Sequence, residues 1–262
     1  MNVLYRLLNR LRTPEFQHGR DVNLDLKRRC VRLRTIFDIG ANVGQTAVSF
    51  ARAFPMAGVR SFEPFSATFV LLRQNTARFP NVSCEQLALG SEVGSVSVPL
   101  QISSVNNSLR ACQGSPGGGA EETIEVDTLD GYCSAHGVEE IDYLKIDTEG
   151  HDLEVLKGAR ELMASHRVGF VQVEAAMTRA NRKHVAFAEF DDYLWNLGYV
   201  LFGIYEQTPD WDGEARLRFA NPVFISPKMI DSLGLVPLRS SARGLRFKQA
   251  NQRRMRTGHL AS

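Results

Sequence analysis

The chain has 262 residues, 44% of them apolar, enough for one large α/β domain with extra segments at its ends. No apolar run approaches the roughly 20 residues of a membrane-spanning helix. Arg6, Arg10 and Arg12 also interrupt what a signal peptide would keep apolar, so a cytoplasmic location is expected. The net charge of +2 hides an asymmetry: residues 1–34 hold nine Lys/Arg against three Asp/Glu, residues 227–262 hold eight against one, and residues 35–226 hold 14 against 25. An acidic body between basic ends disfavours a nucleic-acid substrate, because the body would repel phosphates. The four cysteines, Cys30, Cys84, Cys112 and Cys133, form no C-x-x-C pair and read as reduced thiols.

Residues 3–11 place Val3, Leu4, Leu7, Leu8 and Leu11 on one helical face. Such a helix packs on its own domain or on a second subunit of a homo-oligomer, or makes peripheral membrane contact through residues 1–12. From Thr35 the pattern becomes strand, turn, helix. Strands are expected at 35–39, 58–62 and 82–87, with helices at 44–54 and 66–79 between them, which argues for a parallel sheet. Residues 95–100 and 124–126 read as strands around a Gly/Pro-rich loop, and 128–136 as a helix. The α/β rhythm resumes with strands at 141–146 and 168–173 and helices at 151–165 and 186–197. Two apolar runs, 199–205 and 217–225, close the chain as an antiparallel hairpin with its turn at 208–213. Residues 239–262 read as a weakly structured tail. The expected division is a basic helical segment at 1–34, a catalytic domain at 35–226 and a basic tail at 227–262.

The first strand runs into Asp38-Ile39-Gly40-Ala41-Asn42-Val43-Gly44, a glycine loop opening a helix. In open α/β sheets ligands bind beyond the carboxyl ends of the strands, where this loop sits. Glu63 ends the second strand 23 residues after Gly40, at the spacing of an acid that accepts hydrogen bonds from ribose hydroxyls. The two features together read as an adenosine site. A dinucleotide fingerprint would need glycine at 42 and 45, where Asn42 and Gln45 stand, so S-adenosylmethionine fits better than a nicotinamide cofactor.

Four stretches carry a resemblance: Phe-Asp-Ile-Gly-Ala-Asn-Val-Gly-Gln at 37–45, Phe-Glu-Pro at 62–64, Val-Asp-Thr-Leu-Asp at 126–130 and Tyr-Leu-Lys-Ile-Asp-Thr-Glu-Gly-His-Asp-Leu-Glu-Val-Leu-Lys-Gly-Ala at 143–159. Over roughly residues 35–226 the chain resembles FkbM-type methyltransferases. The resemblance implies the α/β class I methyltransferase fold, a Rossmann-like three-layer sandwich whose mostly parallel seven-stranded sheet ends in an antiparallel hairpin. It also implies S-adenosylmethionine as donor and a hydroxyl acceptor on a sugar, glycolipid or polyketide. Asp38, Gly40, Ala41, Asn42 and Gly44 would then hold the methionine part and Glu63 the ribose. Pro64 and Phe65 would pack near the adenine, with Ala88 and Leu89 flanking it.

Lys145, Asp147, Glu149 and His151 crowd the end of the 141–146 strand, and Glu174 ends the next strand. Methyl transfer is an in-line displacement, so positioning supplies much of the rate. A hydroxyl nucleophile also gains from a base, for which Asp147, Glu149, His151 and Glu174 are the candidates. Asp147 is also a candidate for binding the cofactor. A metal-free route is favoured over Mg²⁺ shared by Asp147 and Glu174, since no full ligand set is visible. Lys145, inside an apolar strand, needs a carboxylate partner or contacts substrate. The rival functions are a nicotinamide-dependent oxidoreductase and a non-catalytic binding protein on the same fold.

Overall fold

The computed structural model describes residues 19–99, 121–209 and 216–235. The chain divides into two units, Met1–Met229 and Ile230–Ser262. The expected helix at 3–11, the Gly/Pro-rich loop and the tail at 239–262 lie outside the described residues.

Helix α1 (Val22–Arg28) opens the described chain, capped by Asp21, whose side chain accepts from Leu24 N. Its buried Asp25 accepts from Gly19 N at 2.8 Å and from the Tyr205 hydroxyl at 3.0 Å. There follow β1 (Thr35–Ile39), α2 (Gln45–Ala53), β2 (Gly58–Phe62), α3 (Ser66–Thr76), β3 (Val82–Glu85), β4 (Ala88–Leu89) and β5 (Gly94–Pro99). After residue 120 come β6 (Glu121–Asp127), α4 (Leu129–Ala135), β7 (Ile141–Ile146), α5 (Asp152–Lys157), α6 (Arg160–Ala164) and β8 (Val168–Gln172). The short β9 (Ala175–Ala176) and β10 (Val185–Ala186), then α7 (Phe187–Asn196), β11 (Val200–Pro209), β12 (Leu217–Ile225) and α8 (Pro227–Ser232), complete the series.

Strands β3, β2, β1, β7 and β8 run parallel in that spatial order. Strand β12 lies antiparallel to β8, and β11 pairs antiparallel with β12. These seven strands, one of them reversed, follow the class I methyltransferase order, as expected, and the short β9 and β10 extend the same sheet beside β12 to nine strands. Parallel sheets are covered on both faces. One face carries Phe37, Ile39, Phe62, Leu144, Ile146 and Val171, packed with side chains of α4 to α7. On the alternate positions, Tyr143 packs at a tilt against Phe50 of α2, with ring centroids 4.9 Å apart, and stacks against Phe170. The same alternation puts Asp38 and Lys145 side by side on that second face, directly paired in register across β1 and β7.

Three features depart from the sequence pattern. The strand expected at 82–87 stops at Glu85, and the chain crosses into a second sheet of order β4-β6-β5. The helix expected at 151–165 breaks into α5 and α6 at Gly158. Helix α1 falls inside the 1–34 segment expected to be helical, whereas β9, β10 and α8 have no counterpart in the expected elements. A Cβ placed on Gly158 would sit 1.9 Å from the Gly90 carbonyl oxygen, so the break lets the chain after β4 pass against it. Gly158→Ala is therefore expected to cost about 2 kcal/mol of stability by overpacking, read as a lower urea midpoint. An unchanged midpoint would show that the contact has slack. Cys30, Cys84 and Cys133 are free thiols. Among the described residues no helix is long and apolar enough to cross a membrane.

Candidate active site

The tips of β1 and β2 build the first half of the site. Gly40 N and Ala41 N both donate to the Phe62 carbonyl, at 3.0 and 2.9 Å, folding the loop back over β2. Gly40 has φ +75°, and a Cβ there would fall 1.9 Å from the Asp147 carbonyl oxygen. Only glycine lets the ends of β1 and β7 approach so closely. Gly44, with φ +92°, faces Leu72 and Thr76 of α3, so its smallness serves helix packing.

Glu63 is buried at 5% exposure, with Oε2 accepting from Asn42 N at 3.0 Å and Oε1 from Phe65 N at 3.1 Å. Burial lifts its pKa to about 7 despite those two donors. Each carboxylate oxygen keeps a further lone pair for a ligand hydroxyl. Pro64 is half-buried beside it. Phe65 and Ala88 are buried in one small core with Val98 and Ile124, and Leu89 in the main core. The side chains of Phe65, Ala88 and Leu89 thus serve packing.

Beneath the loop, Asp38 is fully buried and Lys145 nearly so. Lys145 Nζ stands 3.2 Å from Asp38 Oδ1 and 3.3 Å from Asp147 Oδ2. Burial alone would depress the lysine, but Asp38 and then Asp147 hold its pKa above the ordinary value. The sequence left open whether Lys145 meets an acid or a substrate, and the structure shows two acids. Beyond that ion pair, Asp38 lacks a well-aligned hydrogen-bond donor among the described residues, and only the Ala47 N–H approaches it. Burial raises its pKa. Two acids and one lysine leave this group with a formal charge of −1, suited to a cationic ligand.

The second half lies beyond β7 and β8. Glu149 occupies a left-handed turn, with φ +55°, followed by Gly150 at +96°. Glu174 follows β8, and the segment after β9 brings His184 between the two acids. His184 Nε2 is 2.8 Å from Glu174 Oε2 and 3.7 Å from Glu149 Oε2, and Lys183 Nζ reaches Glu149 at 2.6 Å. Burial opposes charge on His184, but the two carboxylates override it and lift its pKa to about 9. Hydrogen bonding to His184 lowers the Glu149 pKa, while burial raises that of Glu174.

Asn181 decides the tautomer. Its Oδ1 accepts the Lys183 and His184 backbone N–H groups, so its Nδ2, 2.8 Å from His184 Nδ1, must donate there. Neutral His184 therefore carries its proton on Nε2. A proton on Nδ1 would set two donors face to face at Asn181, so this contact favours the neutral ring and opposes the pull of the two carboxylates. Glu149, Glu174 and His184 offer ligand atoms within 4.8 Å of one another. A metal would need the Nε2 lone pair, with the proton on Nδ1, and Asn181 is arranged for the reverse. This trio also differs from the Asp147–Glu174 pair considered for Mg²⁺.

His151 sits elsewhere. Its Nε2 lies 3.3 Å from the position of a Cβ on Gly90, on the β4 side of the site. The histidine between the acids is His184, which sequence reasoning missed together with Asn181, Lys183 and Asp152. The only local signal was a polar stretch, residues 178–184, shortly after a strand tip, where α/β proteins carry functional loops.

A family model described as the methyltransferase FkbM domain matches residues 38–201. The hexuronic acid methyltransferase AglP of Haloferax volcanii is 32% identical over 141 residues, covering 53% of this chain and 54% of its own. The methyltransferase sdnD of Sordaria araneosa is 28% identical over 156 residues, covering 48% of this chain and 60% of its own. The chain thus spans little more than half the length of these relatives. Among solved structures, an S-adenosylmethionine-dependent methyltransferase from Aquifex aeolicus shares 11% identity at a TM-score of 0.44, covering 84% of this chain and 97% of that one. The precorrin-6y C5,15-methyltransferase from Geobacter metallireducens shares 16% at 0.39, covering 78% and 85%. Those two scores bear no functional weight. The family match spans well over half of the 262 residues, and on it the chain belongs to the FkbM methyltransferase family.

Proposed function

We propose that this chain transfers a methyl group from S-adenosylmethionine to a hydroxyl oxygen of a sugar, glycolipid or polyketide-like acceptor. The observation that carries the reading is the convergence of Asp147, Glu149, Glu174 and His184 beyond β7 and β8, beside the glycine loop.

The residues present fit the cofactor. Asp38 is buried and short of donors, and Glu63 offers spare lone pairs beside the Gly40 turn. When bound, S-adenosylmethionine supplies a methyl group on a sulfonium, a good leaving group. Asp38, Lys145 and Asp147, at net −1, favour that cation. Asn42 presents its backbone at the loop, and Glu63 accepts from the ribose hydroxyls. Glu174, its basicity raised by burial, takes the proton of the acceptor hydroxyl as the oxygen–carbon bond forms and the carbon–sulfur pair leaves with sulfur. His184 Nε2–H holds Glu174, and no metal is required.

The hexuronic acid in the name of the Haloferax volcanii relative favours a sugar. A mass-spectrometric screen of glycans and metabolites for gain of one methyl group tests the reading. The product is expected to survive mild alkali as an ether. An alkali-labile ester would replace the hydroxyl with a carboxylate acceptor.

Glu63 makes cofactor binding pH-dependent. Its folded pKa of about 7 lies above the ordinary value of 4.5, so its contribution to folding is present at low pH and is lost as pH rises through about 7. Ribose recognition uses the ionised form and runs the other way. Affinity for S-adenosylhomocysteine is expected to rise from about pH 6 to about pH 8, and to lose that rise in Glu63→Gln. A flat wild-type profile in titration calorimetry would count against Glu63 as the ribose acceptor.

A further inference from the structure

We propose that Asp152 is a positioning residue that ties the Glu149 turn to the strand end bearing Glu174 and so sets the gap between the two acids. The proposal rests on reading their cluster as the acceptor site. Asp152 is fully buried. Its Oδ2 accepts from the Thr148 hydroxyl at 2.9 Å, from Thr148 N at 3.3 Å and from Gly150 N at 3.3 Å. Its Oδ1 accepts from Glu174 N at 3.3 Å. One carboxylate thus spans two loops separated by 22 residues.

The turn needs such a tie. Glu149 holds a left-handed conformation, which costs a non-glycine residue about 1–2 kcal/mol and persists only where surrounding bonds over-determine it. All three Oδ2 donors belong to the residues that flank Glu149, Thr148 and Gly150. With the turn pinned, Glu149 meets His184 and Lys183, while Glu174 meets His184 from the other side. An aspartate is needed because both oxygens act as acceptors. An asparagine of the same shape has one acceptor oxygen, so one loop would face an NH₂ group whichever way the amide turned.

The test is the His184 Nε2–H proton in NMR spectra, with S-adenosylhomocysteine titration run alongside. In the wild type the Glu174 contact is expected to move that proton downfield of an ordinary imidazole N–H. In Asp152→Asn it is expected to return upfield, with affinity for S-adenosylhomocysteine retained. A merely structural role would lower the unfolding temperature and leave the proton where it was, which would overturn the proposal. If the wild type itself lacks the downfield proton, the cluster reading fails, and that result is distinguishable. Should Asp152→Asn fail to fold, Thr148→Val removes one donor and keeps the charge. It is expected to shift the proton in the same direction, and no shift would overturn the proposal.

Discussion

Replacing Glu63 with Ala is expected to weaken S-adenosylhomocysteine binding by about 100-fold or more in titration calorimetry, with the circular dichroism of the fold retained. The size follows from what the ribose loses. A hydrogen bond to a charged group contributes about 1.5–3 kcal/mol, and the carboxylate has spare lone pairs for two hydroxyls. Each 1.4 kcal/mol is about tenfold in affinity, so losing both bonds gives about 100-fold or more. A second loss adds to it: Glu63 also accepts from Asn42 N and Phe65 N, and removing it frees the loop the cofactor rests on. Glu63→Gln keeps one acceptor oxygen and should fall between wild type and Ala. Wild-type affinity in Glu63→Ala would place the ribose elsewhere and remove the main support for the adenosine site.

The strand tips were legible from the sequence because each combines two short-range signals. β1 (Thr-Ile-Phe-Asp-Ile) is a β-rich run ended by Gly40, β2 (Gly-Val-Arg-Ser-Phe) is ended by Glu63-Pro64, a helix pattern follows each, and their bounds match the expected 35–39 and 58–62. What escaped was non-local. The 151–165 stretch reads as one helix, and only the Gly90 carbonyl against Gly158 explains its break. The strand at 82–87 looks continuous until β4 pairs with β6, about 38 residues further on. Gly40 was read as a cofactor-facing turn, and the structure adds a second reason, the approach of the Asp147 carbonyl.

The site divides in the same way. Lys145, Asp147, Glu149 and Glu174 stand at strand ends, and periodicity places strand ends well. His184 lies in an irregular segment between β9 and β10, and what makes it matter is a distance to Glu174 that no spacing encodes. His151 had the better sequence position, within the motif, yet a helix start fixes only where its Cα lies. Its ring turns to the Gly90 side. Asp152 was visible as the residue after His151, but its use becomes apparent only when Glu174 N is found at its second oxygen.

Glu174→Gln is expected to lower kcat by about 10²–10⁴-fold on the acceptor found by the methyl-gain screen, the range general-base catalysis supplies, with S-adenosylhomocysteine affinity unchanged. The amide keeps the size of the carboxylate and can still accept from His184 Nε2–H, so the local packing survives while the basic oxygen is lost. Asp147→Asn separates the roles. Asp147 faces Lys145 and not His184, so its loss should weaken cofactor binding more than the proton-transfer step. His184→Ala removes the group that holds Glu174 and lowers the basicity of Glu149. It should reduce kcat less than the loss of Glu174 itself, because the base remains. If Glu174→Gln turned over at the wild-type rate while Asp147→Asn did not, the proton would leave toward Asp147, and the acceptor would have to approach from the β1 side of the cleft.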